Sequence, residues 1–114
     1  SDLAPTYAMR EAFLKRRDLL LVELKKIPEW LVNKPQGAFY VLPDVSACFG
    51  KKHKQGIITN SDDLAMYLLQ DAKVAVVNGD AFGAPNCLRI SYSLSEEKIS
   101  EAITRMRAAL DKLS

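Results

Sequence analysis

The segment "VAVVNGDAFGAPNCLRISYS", residues 74–93, contains two predicted strands separated by a loop rich in glycine, proline and asparagine. The first strand contains three valines, Val74, Val76 and Val77, and is typical of a short buried strand. In the second strand, apolar side chains alternate with polar ones: Leu88, Ile90 and Tyr92 with Arg89, Ser91 and Ser93. Given the length of the loop, we expect an antiparallel pair in which the second strand has one apolar and one polar face.

A long helix and one further strand are predicted in the first half of the chain. The helix covers residues 6–27, where apolar side chains recur at helical spacing, and Pro28 ends it. The apolar side chains of this helix are Met9, Phe13, Leu20, Leu24 and Ile27. Residues 38–43, which follow the turn signal "KPQG", are rich in strand-forming residues.

Two more helices are predicted in the second half. Residues 60–72 form one of them, with Asn60 or Ser61 accepting hydrogen bonds from its free N–H groups. Ser95 caps the other, which continues to residue 113. The apolar stripe of this last helix consists of Ile99, Ala102, Ile103, Met106, Leu110 and Leu113.

The predicted order of elements is α, β, α, β, β, α, which favours an α+β fold in two layers. About three mainly antiparallel strands would be covered on one face by the helices. A chain of 114 residues is expected to form a single domain, residues 1–114. The uncovered face would carry Arg89, Ser91 and Ser93, and it must meet either water or another domain.

Composition narrows the class of protein only slightly. Sixteen basic residues nearly balance 14 acidic ones, and the net charge of +2 gives no indication of nucleic-acid binding. The lysine-rich segment "GKKHKQG", residues 50–56, is interpreted as a solvated loop rather than a site for phosphate or an acidic partner. Neither a signal peptide nor a membrane-spanning apolar run is found, which predicts a cytoplasmic protein without a membrane partner.

Few residues offer catalytic or metal chemistry. Cys48, Cys87 and the single histidine, His53, do not form a metal-ligand pattern, so no metal site is expected, and His53 is expected to be solvated. The aromatic residues Phe39, Tyr40 and Phe82 are expected in the core. From the residues alone, Arg89 is either a solvated strand arginine or a residue that holds an anion.

Three motifs in a fixed order resemble a known family. They are P-x-G-A-F-Y at residues 35–40, V-x-G-x-x-F-G at 77–83 and R-I-S-Y at 89–92. Together with the helical segment "FLKRRDLLLVELKKIPEW", residues 13–30, they resemble the C-terminal small domain of the fold-type I, pyridoxal-phosphate-dependent aminotransferases. The resemblance is closest to the bacterial aspartate aminotransferase group. One departure is Asn78, where members often have proline.

The resemblance implies a binding role for Arg89. In the family, the arginine of the R-I-S-Y strand binds the α-carboxylate of the amino-acid substrate. A guanidinium suits this task because its planar fork pairs two N–H groups with the two carboxylate oxygens. In the family, the segment that matches Gly37 and Phe39 borders the mouth of the active site, which the small domain closes when substrate binds. From the residues alone, Gly37 is equally well a turn residue before a strand and Phe39 a packing residue. The resemblance therefore implies substrate-binding roles for Arg89, Gly37 and Phe39.

The resemblance places the catalytic and cofactor-binding residues in a large domain that would precede residue 1. There, a lysine holds pyridoxal 5'-phosphate as a Schiff base and an aspartate pairs with its pyridinium nitrogen. Residues 1–28 would form a long connecting helix, and residues 35–114 the core of the small domain. The full-length enzyme would be a homodimer that transfers an amino group from an L-amino acid to a 2-oxo acid such as 2-oxoglutarate, and this segment alone would be inactive.

Two other classes stay open at this point. One is an enzyme of the same fold with different chemistry, such as a lyase or a synthase that acts on an amino acid. The other is a non-catalytic module that binds amino acids. The lyases and synthases of this fold share the carboxylate arginine, so Arg89 does not separate them from a transaminase. A pyridoxal-phosphate lysine encoded upstream would exclude the non-catalytic module.

Overall fold

The structure, a computed structural model, describes residues 3–27, 29–32, 40–80, 83–92 and 94–114. The helices of these residues are α1 (Leu3–Leu24), α2 (Ser61–Tyr67) and α3 (Glu96–Asp111). The strands are short: β1 (Tyr40–Val41), β2 (Lys52–His53), β3 (Gly56–Ile57), β4 (Val77–Asn78) and β5 (Leu88–Ser91). Among the described helices, none is both long and apolar enough to cross a bilayer.

The main sheet has the strand order β1-β5-β4, and both of its pairings are antiparallel. In the register, Tyr40 pairs with Ser91, Val41 with Ile90, Val77 with Arg89 and Asn78 with Leu88. The antiparallel arrangement predicted for the two strands of residues 74–93 is therefore confirmed. As the central strand, β5 is held by backbone hydrogen bonds on both sides.

The helices cover one face of this sheet. The apolar side chains of β5, Leu88 and Ile90, belong to the same buried core as side chains from all three helices. Those helix residues include Leu20 and Leu24 of α1, Leu64 of α2, and Ile99, Ile103 and Met106 of α3. Burial of each such side chain contributes about 1.5–3 kcal/mol to folding. The predicted two-layer α+β fold and its order of elements are confirmed, with one small hairpin added.

The added hairpin is formed by β2 and β3, in the lysine-rich segment that was predicted to be a loop. The backbone N–H of Gln55 donates to Nδ1 of His53 at 3.3 Å, which closes the turn. The His53 ring lies 4.8 Å from the ring of Tyr67 in α2 and is half-buried, so the prediction that it is solvated is wrong. This contact is a tertiary one, and local sequence gives no signal for it.

The ends of the helices differ from the predictions by a few residues. α1 ends at Leu24, after which tighter i to i+3 hydrogen bonds continue to Ile27, which is buried as expected. Pro28 lies outside the described residues. α2 passes at Tyr67 into a single π-helical turn, Leu68–Ala72, so its α-helical part is shorter than predicted.

Helix capping follows the sequence. Asn60, rather than Ser61, is the N-cap of α2, and its side chain accepts a hydrogen bond from the N–H of Asp63 at 2.8 Å. Ser95 caps α3 by accepting from the N–H of Lys98 at 3.3 Å, as predicted. Each such cap satisfies a donor at the start of a helix that has no partner within the helix.

The predicted buried strand that contains Val74, Val76 and Val77 is much shorter and less buried than expected. Only Val77 and Asn78 pair as a strand, and the Val77 side chain is 47% exposed. Val74 and Val76 pack on the core as half-buried residues. Since β4 is an edge strand of the sheet, it pairs with a neighbouring strand on one side only.

Two buried acidic groups predict a loss of stability at alkaline pH. Burial raises the pKa of the Cys48 thiol above its ordinary value of 9.0, against a smaller opposing effect of its hydrogen bond from Trp30. Burial also raises the pKa of the Tyr67 hydroxyl, which donates to the carbonyl oxygen of Ala109 at 2.6 Å. The unfolded chain therefore releases these protons first, and the free energy of unfolding falls as pH rises through about 9 and above.

Urea unfolding at pH 8 and pH 10 measures this effect. We expect a lower unfolding midpoint at pH 10, and a smaller difference in the Cys48→Ala, Tyr67→Phe double variant, which lacks both titrating groups. A midpoint that rises with pH would contradict the prediction, as would equal pH dependence in the two proteins.

Candidate functional site

Arg89 lies in the middle of the central strand, between two buried residues of the opposite face. Leu88 is completely buried and Ile90 is 8% exposed, whereas Arg89 is half-buried. The alternation predicted for this strand is therefore confirmed over Leu88–Ser91 and extends to the buried Tyr92. Ser93 lies outside the described residues. A central strand restrains its side chains more tightly than a loop does, which suits a residue that must hold a fixed geometry.

Tyr40 lies beside Arg89 on the neighbouring strand. Because Tyr40 pairs with Ser91, it is the diagonal cross-strand neighbour of Arg89, and such neighbours are within reach of aromatic side chains. The central guanidinium carbon of Arg89 lies 5.5 Å from the centre of the Tyr40 ring, which is a cation–π contact. The expectation that Tyr40 belongs to the core is wrong, because the register places it on the face that the helices leave uncovered.

Four side chains define what we call the outer face: Tyr40 of β1, Val77 of β4, and Arg89 and Ser91 of β5. Residues that pair directly across antiparallel strands point to the same side of the sheet. The outer face thus combines one permanent positive charge with an aromatic ring, a hydroxyl and a partly exposed valine. This set can hold an anion, and the planar fork of Arg89 matches a carboxylate.

The polar groups of the described outer face are one guanidinium and two hydroxyls, those of Tyr40 and Ser91. Among the described strand residues, the outer face has no lysine, histidine or carboxylate side chain. The described outer face is therefore suited to binding and orienting an anion. It does not fit the covalent attachment of an aldehyde cofactor, which requires an amine.

The loop between β4 and β5 fixes how the arginine strand enters the sheet. The N–H of Gly79 donates to the carbonyl oxygen of Cys87 at 2.8 Å, and the N–H of Ala84 donates back to the oxygen of Gly79 at 2.9 Å. Gly79 is buried, and a Cβ atom there would overlap the carbonyl oxygen of Ala84 and lie 3.1 Å from that of Cys87. The glycine of the second motif is therefore required by the close approach of two backbones.

Asn78, at which the sequence departs from the family pattern expected above, ties this loop to α2. Its side-chain amide donates to Oδ1 of Asp62 at 3.1 Å, and its side-chain oxygen accepts from the N–H of Asp80 at 3.1 Å. A proline side chain can make neither bond. The chain thus holds this loop through two side-chain hydrogen bonds of Asn78.

The other residues named from the sequence have different outcomes. Gly37, Phe39 and Phe82 lie outside the described residues, so the roles expected for them stay predictions. Tyr40 was missed as a neighbour of the arginine because it was assigned to the core. The signal that could have found it is the antiparallel pairing, which brings the last residue of the first motif next to the first residue of the third.

Comparison of this chain with known proteins identifies the family to which its sequence is similar. Residues 4–106 match the family model for aminotransferase class I and II. A probable aspartate/prephenate aminotransferase of Aquifex aeolicus is 50% identical over 105 residues, which is 92% of this chain and 25% of that protein. The aspartate aminotransferase of Streptomyces avermitilis is 40% identical over 97% of this chain and 27% of its own length. The chain therefore spans about a quarter of the length of these relatives.

Solved structures agree with the sequence comparison. The aspartate aminotransferase from Rhizobium meliloti has a TM-score of 0.86 and 43% identity over 91% of this chain and 26% of its own. An aromatic aminotransferase from Pyrococcus horikoshii has a TM-score of 0.82 and 32% identity over 96% of this chain and 27% of its own. The similarity in structure thus extends over nearly all of this chain.

Proposed function

This chain belongs to the aminotransferase class I and II family, and we propose that it is the C-terminal small domain of a longer aminotransferase. In this proposal, residues 1–28 connect it to a large cofactor-binding domain and residues 35–114 form its core. Its task in the whole enzyme is to bind the α-carboxylate of the substrate and to close over the active site. The relatives, of which the chain spans about a quarter, support a longer parent enzyme.

The observation that carries the proposal is the placement of Arg89. A half-buried arginine at the centre of the sheet places a planar guanidinium on the face away from the helices, and such a group matches the geometry of a carboxylate. A solvated arginine would need no central strand beneath it and no aromatic neighbour. In the proposed enzyme, the outer face is turned toward the large domain, which explains why it is not apolar.

Binding the carboxylate at two points has a chemical consequence. It fixes the rotation of the substrate about its Cα, and thereby decides which bond to Cα is aligned for breaking. Closure of the domain excludes water, and the arginine–carboxylate attraction becomes stronger as the local dielectric constant falls. Arg89 thus orients the substrate and takes no proton itself, because a guanidinium stays charged.

The cofactor that the family implies is pyridoxal 5'-phosphate. When bound, it withdraws electrons from the bonds to the substrate's Cα. The described outer face fits the substrate carboxylate rather than this cofactor. We therefore assign cofactor binding and proton transfer to the large domain.

For the substrates, we propose L-aspartate or a related amino acid as donor and a 2-oxo acid such as 2-oxoglutarate as acceptor. Relatives named aspartate aminotransferase support the donor, and those named aspartate/prephenate aminotransferase add prephenate as an acceptor to be tested. A homodimer and a cytoplasmic location stay predictions.

Assay of the full-length enzyme against a panel of amino acids and 2-oxo acids tests this function. We expect amino-group transfer from L-aspartate to at least one 2-oxo acid of the panel, without release of free ammonia. Release of ammonia, or breaking of a carbon–sulfur bond without transfer, would instead identify a lyase. The 114-residue chain alone, supplied with pyridoxal 5'-phosphate and the same substrates, is expected to show no turnover.

A further inference from the structure

We infer that Tyr40 is a positioning residue for the substrate, acting through Arg89. The inference rests on the proposed function, because it assigns a role in the binding of the same carboxylate. Its own basis is the cation–π contact of 5.5 Å and the strand register that creates this contact.

The contact is produced by the sheet itself. β1 and β5 pair with Tyr40 opposite Ser91, so that Arg89 lies two residues along from the partner of Tyr40 and on the same face. Across an antiparallel pair, this diagonal spacing is about 7–8 Å, which two long side chains can span. The contact also joins the P-x-G-A-F-Y motif to the R-I-S-Y motif.

The contact restrains the arginine without neutralising it. The ring is uncharged, so this contact itself adds no negative charge beside the guanidinium. An arginine side chain loses rotamer entropy when it is fixed in one conformation. A ring that already limits its rotamers reduces the part of this loss that occurs on substrate binding, and preorganisation of this kind favours binding.

The alternative is that Tyr40 only stabilises the edge of the sheet. A cross-strand aromatic residue contributes to stability whether or not the arginine binds a ligand. Loss of the ring would then lower activity to the same extent with and without Arg89. The two roles therefore differ in how the effects of the two residues combine.

The test uses the full-length enzyme and its kcat/KM for the amino-acid substrate. We expect Tyr40→Leu to lower kcat/KM about tenfold and Tyr40→Phe, which keeps the ring, to stay within about threefold. In an Arg89→Leu background, Tyr40→Leu should change kcat/KM by less than about twofold. Ile57→Ala is the control variant, because Ile57 is a half-exposed residue of the separate β2–β3 hairpin and does not belong to the outer face. It should stay within about twofold of wild type.

Each outcome decides between the roles. If Tyr40→Leu lowers kcat/KM equally in the wild-type and Arg89→Leu backgrounds, the inference is wrong and the tyrosine is purely structural. A loss of kcat/KM in Tyr40→Phe as large as that in Tyr40→Leu would also contradict the inference. If Tyr40→Leu has no effect while Arg89→Leu is severe, only the inference fails. If Arg89→Leu has no effect, the proposed function of Arg89 fails first. Should Tyr40→Leu not fold, Tyr40→Ile, with its β-branched side chain, replaces it in the same comparison.

Discussion

Replacing Arg89 with leucine in the full-length enzyme is expected to lower kcat/KM for the amino-acid substrate at least ~10²-fold. The variant removes a charged, bidentate contact to the substrate carboxylate and leaves that carboxylate without a counter-charge in a closing site. Because Arg89 is half-buried on the outer face, leucine is accommodated there without a cavity in the core. The loss should therefore appear in kinetics, and the urea midpoint should change little.

Arg89→Lys is the matched control for this prediction. Lysine keeps the positive charge and loses the planar fork, so it should recover only part of the activity. An Arg89→Leu enzyme within threefold of wild type would contradict the proposed role and return Arg89 to a solvated strand arginine. Full activity in Arg89→Lys would show that charge alone is sufficient and that bidentate geometry is not needed.

Gly79→Ala is expected to destabilise the chain by at least about 2 kcal/mol, because its Cβ has no room beside the backbone of the loop. The added atom would overlap the carbonyl oxygen of Ala84, and the backbone hydrogen bonds of Gly79 to Cys87 and Ala84 oppose a shift that could relieve this overlap. Since these bonds set the entry into β5, the same substitution should also disturb the position of Arg89. Urea unfolding measures the effect as a lower midpoint.

Gly83→Ala, in the same loop, is the control for loss of a glycine as such. Gly83 has a φ of +70°, and a Cβ there has no atom within 4 Å, so the variant carries only the conformational cost of a left-handed residue, about 1 kcal/mol. Equal midpoints for the two variants would contradict the steric explanation for Gly79.

Predictions from the sequence were most accurate for features that depend only on neighbouring residues. The alternation around Arg89 and the caps Asn60 and Ser95 depend on neighbouring residues, and the structure confirms all three. The β2–β3 hairpin was not predicted. One of its residues, His53, packs against Tyr67 of α2, which is distant in the sequence. Local patterns contain no information on such contacts.

The candidate site was predictable in part. Periodicity places Arg89 on the polar face, and resemblance to a family gives that face a ligand, but neither identifies Tyr40 as the neighbour. That neighbour depends on the pairing register of two strands separated by nearly 50 residues. A single sequence does not specify such a register unless both strands are long and clearly alternating, and β1 has only two residues.

The central claim is that Arg89 binds the substrate's α-carboxylate. The most direct measurement compares inhibition constants for an amino acid and for its α-carboxamide, in wild-type and Arg89→Leu full-length enzymes. The amide keeps the shape of the ligand and removes its charge. In the wild type, we expect the acid to bind at least ~10²-fold more tightly than the amide, and in Arg89→Leu this preference should fall to a few-fold. An unchanged preference in Arg89→Leu would show that another residue holds the carboxylate, and would contradict the account.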